Sequence, residues 1–234
     1  TLTWTDPADP SPDHIEVTWT PDSAGTQTVA IGTESYTATG LYNGTEYTFT
    51  VHAFDAGGTV LDGQAITAKP GKIGAPANAV YVYDADGINN IRNDLDGYYV
   101  LMRDVNLYQS GYTVWTPIGY IDSSIQFTGT LDGNGHTISG ITAINESHDT
   151  QGLFRRIGTA GTVQNLTVEG SVTGYYCVGG LTGVNSGAIT GCRSSVTVNG
   201  DNYAGGLVGV NNGTITSSYA TGAVSGIIQV GGLA

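Results

Sequence analysis

Basic residues are scarce in this chain. Of 234 residues, 7 are Lys or Arg against 20 Asp or Glu, a formal net charge of −13. Residues 1–150 carry 18 of the acids and four bases, a net of −14, whereas residues 151–234 carry two acids and three bases, a net of +1. Phosphate-rich partners select basic patches. The acidic half therefore argues against nucleic acid and anionic membrane surfaces as partners.

Other absences narrow the field further. Two cysteines, Cys177 and Cys192, cannot build a disulfide scaffold. No run reaches the ~20 apolar residues of a membrane-spanning helix, and no signal peptide is present. The chain opens without Met on Thr1-Leu2-Thr3-Trp4-Thr5 and stops at Gly232-Leu233-Ala234. The expectation is a fragment of a longer protein, with signal and anchor outside it. Proline is low at 7 and glycine high at 36, but hydrophobic residues make up 39%, which is not the composition of a disordered linker.

What is present is a register. Val178-Gly179-Gly180-Leu181, Ala204-Gly205-Gly206-Leu207 and Val230-Gly231-Gly232-Leu233 recur every 26 residues. Val163, Ile189 and Ile215 keep step, as do Val172, Val198 and Val224. A fixed period of this size marks a repeat whose units are stable only when stacked. The unit is rich in Gly, Thr, Ser, Val and Asn and has no helical periodicity. It reads as one turn of a right-handed parallel β-solenoid. Leu153, Leu181, Leu207 and Leu233 are expected to form one internal ladder, and Val178, Ala204 and Val230 another. The glycine pairs suit close backbone approach or a positive φ at corners. Asn185 and Asn211 are expected to bond along the coil. Leu153 to Leu181 spans 28 residues, with two extra near Gly158–Gly161 read as a longer turn. Cys192 shares a position with Leu166 and Ser218, which predicts an inward thiol. Cys177 shares one with Tyr203 and Gln229, which predicts an outward one. A bridge between the two cysteines is left open and disfavoured by the geometry such bonds need.

Residues 1–70 carry a different pattern. His14-Ile15-Glu16-Val17-Thr18-Trp19-Thr20 alternates, and similar short runs follow between Gly and Asn turns. That is a β-sandwich. The segment Gly40-Leu41-Tyr42-Asn43-Gly44-Thr45-Glu46-Tyr47-Thr48-Phe49-Thr50-Val51-His52-Ala53 resembles the corner before strand F of a fibronectin type III domain. The resemblance implies that Tyr47 is the corner tyrosine and Trp4 the core tryptophan of strand B. No strand A precedes Thr1, so the domain is expected to lack its first strand. Residues 71–80 read as a linker. Residues 81–150 read as solenoid cap and first coils, with a capping helix over Gly87–Leu95 started by Asp84 or Asp86. Residues 151–234 hold the regular repeats.

From Tyr99-Val100-Leu101-Met102 through Trp115-Thr116-Pro117-Ile118-Gly119, Phe127 to Ile138 and Gly152-Leu153-Phe154 to Gly180-Leu181-Thr182-Gly183 and Gly206-Leu207-Val208-Gly209, the chain resembles bacterial surface proteins with GLUG motifs. Such chains are large, secreted or surface-attached and adhesin-like. The motif also occurs in non-catalytic regions of IgA1-protease-type metallopeptidases. The resemblance implies a surface location and a scaffold or adhesion role, and no particular ligand.

Catalytic chemistry finds little support in the residues. Glycosidases need two carboxylates about 5–10 Å apart. The repeats offer only Glu169 and Asp201, in different phases, while Asp104, Asp132, Glu146 and Asp149 read as turn and surface acids. Ser147-His148-Asp149 is a triad in text only, since triad partners converge from separate positions. No His-Glu-x-x-His occurs, and His14, His52, His136 and His148 lack metal-ligand spacing. Asp84-Ala85-Asp86-Gly87 and Asp132-Gly133-Asn134-Gly135 lack the later ligands of a calcium loop, and the second is expected to join two strands. No cofactor or metal is expected.

Exposed aromatics are the best binding signal. Tyr175, Tyr176, Tyr203 and Tyr219 lie in the repeats, and Tyr112, Trp115 and Tyr120 in earlier coils. Tyr suits contact surfaces because its body is apolar and its tip polar. The expectation is a monomeric, non-enzymatic adhesion or spacer element that binds a glycan or an extracellular host protein. The alternative is a carbohydrate-active β-helix enzyme or an accessory region of a secreted metallopeptidase.

Overall fold

The alternation of His14–Thr20 becomes a strand with one dry face: Ile15, Val17 and Trp19 are buried while His14, Glu16 and Thr18 are half-buried. The computed structural model describes residues 1–7, 12–21, 26–119, 125–145 and 150–234. These form two units, Thr1–Ile73 and Gly74–Ala234.

The first unit has strands β1 (Leu2–Thr3), β2 (His14–Thr20), β3 (Gln27–Ala30), β4 (Ser35–Tyr36), β5 (Tyr47–Phe54) and β6 (Val60–Ala68). β1 pairs with β4, and the second sheet runs β3-β2-β5-β6, all antiparallel. Ile15, Val17, Trp19, Tyr47, Phe49 and Ala53 pack between the sheets. Tyr47 is buried, and its hydroxyl accepts a hydrogen bond from the Tyr42 amide at 3.0 Å, which is the expected tyrosine corner. Trp4 departs from expectation. It follows β1 and is half-buried, with its indole N–H donated to Asp6 at 2.9 Å. The deeply buried indole is Trp19 on β2, because β2 is central in the larger sheet and β1 is a two-residue edge.

The second unit is a parallel β-solenoid of about three regular turns behind an irregular start. Each regular coil visits four walls. The first wall stacks Val80–Val82, Tyr98–Leu101, Thr130–Asp132, Thr162–Gln164, Ala188–Thr190 and Thr214–Thr216 in order. The second stacks Val105–Asn106, Thr137–Asn145 and Thr167–Gly174, then two short strands per coil, Arg193–Ser194 with Thr197–Gly200 and Tyr219–Ala220 with Val224–Ser225. The third stacks Val178–Gly179, Asn202–Gly205 and Ile228–Gly231. The fourth stacks Phe154–Ile157, Thr182–Asn185 and Val208–Asn211.

The 26-residue spacing is the pairing register itself. Val163 partners Ile189, which partners Ile215. Val172, Val198 and Val224 align in the same way, as do Val178, Ala204 and Val230. The Leu181 amide donates to the Leu207 carbonyl at 2.9 Å, and the Leu207 amide to Leu233 at 2.9 Å. Leu153, Leu181 and Leu207 are fully buried, each worth about 1.5–3 kcal/mol of transfer free energy. The two extra residues fall between Ile157, paired with Asn185, and Thr162, paired with Ala188.

The glycine pairs serve close approach and not turns. A Cβ on Gly179 would sit 2.2 Å from the Thr182 oxygen, and one on Gly205 2.0 Å from that of Val208. In the regular repeats positive φ recurs instead in two columns: Asn165, Gly191 and Ser217 at φ 51°, 62° and 49°, and Cys177, Tyr203 and Gln229 at φ 21°, 51° and 53°.

The start of the solenoid is capped. Helix α1 (Ala85–Asn90) runs into a 3-10 turn over Ile91–Asn93, and Asp84 caps it by accepting the Gly87 amide at 2.8 Å. Ala85, Ile88 and Ile91 are buried in the solenoid core, with Leu95 packed against it. The helix thus starts two residues before the expected Gly87. Asp132-Gly133-Asn134-Gly135 does join two strands, but as a corner between walls. Thr130–Asp132 and Thr137–Asn145 belong to different sheets.

Candidate functional site

Three of the four repeat tyrosines meet at one corner. The chain leaves the second wall at Gly174, turns through Tyr175, Tyr176 and Cys177, and enters the third wall at Val178. One coil later Asp201 makes the same turn, and Asn202 pairs with Ile228 below it. The Asn202 amide donates to the Tyr175 carbonyl at 3.0 Å, and the Ile227 and Ile228 amides both donate to Asp201 at 3.0 Å. The corner backbone is therefore tied from coil to coil. The rings of Tyr176 and Tyr203 meet edge to face, 4.9 Å between centroids. Tyr175 is 49% exposed and Tyr176 38%.

Tyr219 stands apart. It pairs with Arg193 on the second wall, whose guanidinium lies 5.0 Å from its ring centroid. Along the chain Tyr219 lies eight positions before Ile227, which shares the column of Tyr175, with the second-wall strand Val224–Ser225 between them. A cation over an exposed ring is worth about 0.5–1 kcal/mol.

The earlier aromatics are structural. Trp115 is 1% exposed and donates its indole N–H to the Leu153 carbonyl at 3.1 Å. Tyr112 packs against it at 5.6 Å and donates its hydroxyl to Asp86 at 2.7 Å, while Arg92 covers the other ring at 5.5 Å. Hydrogen bonding to Asp86 raises the Tyr112 phenol above its ordinary range. Tyr120 lies outside the described residues.

The acids do not assemble. Asp132 is buried, and its carboxylate accepts from the Asn134 amide at 2.8 Å, Gln164 at 3.1 Å and Asn165 at 3.3 Å. Asp104 accepts from the Thr137 amide at 2.9 Å and meets His136 Nδ1 at 3.2 Å. The Asp132 carboxylate closes its own turn, and that of Asp104 ties its segment to the neighbouring coil at His136 and Thr137. Glu169 is exposed on the second wall and Asp201 on the turn into the third. Glu146 and the Ser147-His148-Asp149 run lie outside the described residues. Among the described residues no group of three His, Cys, Asp or Glu gathers to hold a metal. No helix among them is long and apolar enough to cross a membrane.

Both cysteines are buried and unbridged. That is the expected state for Cys192, whose thiol burial pushes up to about 11. Cys177, expected to face outward, is buried as well, but outside the group of residues that form the solenoid core. Polar side chains also run in register. Asn185 Nδ2 donates to Asn211 Oδ1 at 2.8 Å, and Thr190 and Thr216 share a bond at 3.0 Å.

Nothing in the repeat pattern marks Arg155. It is 6% exposed and donates to the Thr150 carbonyl at 3.1 Å. Burial, with the like charge of Arg92, lowers its pKa. The first unit carries a groove of about 260 Å³ lined by Leu2, Trp4, Ile15, Val51 and Ile66.

These features define a two-unit all-β chain, a fibronectin type III domain followed by a capped β-solenoid. Residues 1–69 match the fibronectin type III domain family. Halomucin of Haloquadratum walsbyi is 33% identical over 152 residues, 60% of this chain and 2% of that protein. A protein of Evansella cellulosilytica, described as a Gly-rich membrane protein, is 36% identical over 125 residues, 50% of this chain and 14% of that one. The chain thus spans a small part of the curated relatives it matches. Among solved structures, a pectate lyase of Pectobacterium carotovorum aligns over 89% of this chain and 75% of its own at 14% identity, with a TM-score of 0.22. A likeness that low carries no argument about activity.

Proposed function

We propose that this chain is a non-enzymatic adhesive and spacing element of an extracellular or surface-attached protein. The observation that carries the reading is the in-register solenoid. Its inward columns are filled by Val, Ile and Leu, and its polar columns are tied by Asn185–Asn211 and Thr190–Thr216. Stacked coils of this kind make a stiff rod with repeating outer faces. The fibronectin type III domain supports an extracellular setting, as does a relative named as a membrane protein. The GLUG-type motifs of the sequence point the same way.

Adhesion through such a rod is multivalent. Weak contacts on one short piece multiply when many coils engage together. The test is attachment of beads coated with the intact chain to glycan-coated and matrix-protein-coated surfaces, compared with single molecules in solution. Retention on at least one surface, with weak solution binding to the same ligand, is the expected result. Failure to attach to any surface would remove the adhesive half of the reading.

A further inference from the structure

We infer that the corner joining Tyr175, Tyr176 and Tyr203 to Asp201 and Asn202 is a binding site for neutral glycans. The inference rests on the adhesive reading above and names its ligand class.

The first observation is an unfavourable backbone choice. Tyr203 sits at φ 51°, in the left-handed region that suits Gly or Asn and disfavours a bulky side chain. The other left-handed column uses Asn165 and Gly191, which suit the conformation, and the small Ser217, while the column of Tyr203 has Cys177 and Gln229 in the coils on either side. At the corner the sequence keeps a large ring in spite of that cost. Strain of this kind is retained where the side chain has a task.

The second observation is what the ring does there. It meets Tyr176 edge to face at 4.9 Å, beside the half-exposed Tyr175. The result is an aromatic ridge with hydroxyl tips. One face of a pyranose is a sheet of C–H groups rimmed by hydroxyls, which matches an aromatic body with a polar edge. Asp201 and Asn202, on the same turn, supply an acceptor and an amide able to address neighbouring hydroxyls.

The third observation is charge. Asp201 is the only ionisable acid or base among residues 174–178, 200–204 and 226–230 apart from phenols and the Cys177 thiol. The bases of the repeats, Arg155, Arg156 and Arg193, lie on other walls. An anionic sugar would meet a carboxylate and no cation. A neutral one meets no such penalty. The coils also recur about every 4.8 Å, close to the advance of one sugar ring in an extended chain. Successive tiers of the corner can therefore meet successive rings.

The experiment is an NMR titration of the intact chain with neutral cello-, xylo- and manno-hexaose. Oligogalacturonate and an oligo-arginine peptide serve as competing classes. At least one neutral hexaose is expected to shift resonances of residues 174–178 and 200–204, with affinity of about millimolar. Tyr203→Asn is the decisive variant, because Asn tolerates the left-handed backbone. It is expected to melt at or above the wild-type temperature and to bind more than tenfold more weakly. Tyr175→Ser should weaken binding similarly, and Tyr219→Ser should leave it unchanged. Three results would overturn the assignment: no saturable shift with any neutral hexaose, unchanged binding by Tyr203→Asn, or preference for oligogalacturonate or the peptide. Bead attachment separates this from the broader reading. Attachment that survives Tyr175→Ser with Tyr203→Asn sinks the corner and leaves adhesion standing, whereas no attachment by the wild type sinks both.

Discussion

Asn185 donates its side-chain amide to the Asn211 oxygen across 2.8 Å, from one coil to the next at the same corner. Asn185 is buried, and its own oxygen accepts the Gly187 amide at 3.1 Å. The rung is therefore bound both to its neighbour and to its own turn. Asn185→Ala leaves the Gly187 amide without that acceptor and should cost about 1–3 kcal/mol. Asn211→Ala, at a more exposed position, should cost less. Urea unfolding followed by solenoid fluorescence measures both. Equal effects would assign the stability to the shared Asn185–Asn211 bond and not to the turn acceptor that Asn185 alone supplies.

Leu207 tests the core. It is fully buried between Leu181 and Leu233. Leu207→Asp places an unpaired charge in a narrow apolar coil, and the expected loss exceeds about 4 kcal/mol. Calorimetry should show the solenoid transition lost while the transition of residues 1–73 persists. An unaltered solenoid transition would contradict the inward assignment.

Glycines in one repeat position should differ by coil. A Cβ on Gly206 would lie 2.4 Å from the Gly232 oxygen, whereas one on Gly232 meets nothing within 4 Å. Gly206→Ala should destabilise by about 2 kcal/mol or more, and Gly232→Ala should stay within about 0.5 kcal/mol. Thermal melts of the two variants check the contrast. A neutral Gly206→Ala would mean the coils are less closely stacked.

Alkaline pH should weaken the solenoid. Burial holds the Cys192 thiol at about 11, and burial with the Asp94 charge holds the Tyr99 phenol at about 12, against ordinary values of 9.0 and 10.0. Between those pairs of values the unfolded chain has released protons that the folded chain keeps. The unfolding free energy then falls as pH rises. The contribution is whole below about pH 9 and is lost as pH passes through the folded values. Solenoid melting temperatures should decline from about pH 9 to 12, and Cys192→Ala with Tyr99→Phe should flatten the decline. A wild-type profile already flat over that range would contradict it.

Much of the solenoid is legible in the sequence because one column of residues performs one task. Val163, Ile189 and Ile215 share a period and share a wall. Tyr47 is legible too, because a buried phenol bonding back to the Tyr42 amide has a local sequence context. Periodicity fails where geometry crosses columns. Tyr176 and Tyr203 are 27 apart, one residue out of step, so the repeat assigns them to different columns. The two rings nevertheless meet between neighbouring coils, at a corner where Tyr203 has a left-handed backbone. Trp4 and Trp19 illustrate another limit. Both sit in alternating runs, and only the sheet order shows that one lies at an edge and the other in the centre. Trp115 reads as an exposed aromatic because nothing in its neighbourhood announces the Leu153 carbonyl that receives its N–H.

The proposal of a binding scaffold without catalysis is tested most directly by a turnover assay of the intact chain on a panel of plant, microbial and host polysaccharides. No new reducing ends and no unsaturated products are expected, with or without added divalent metal. Turnover that disappears in Asp104→Asn, Asp132→Asn or Glu169→Gln would contradict it and make the solenoid a carbohydrate-active enzyme.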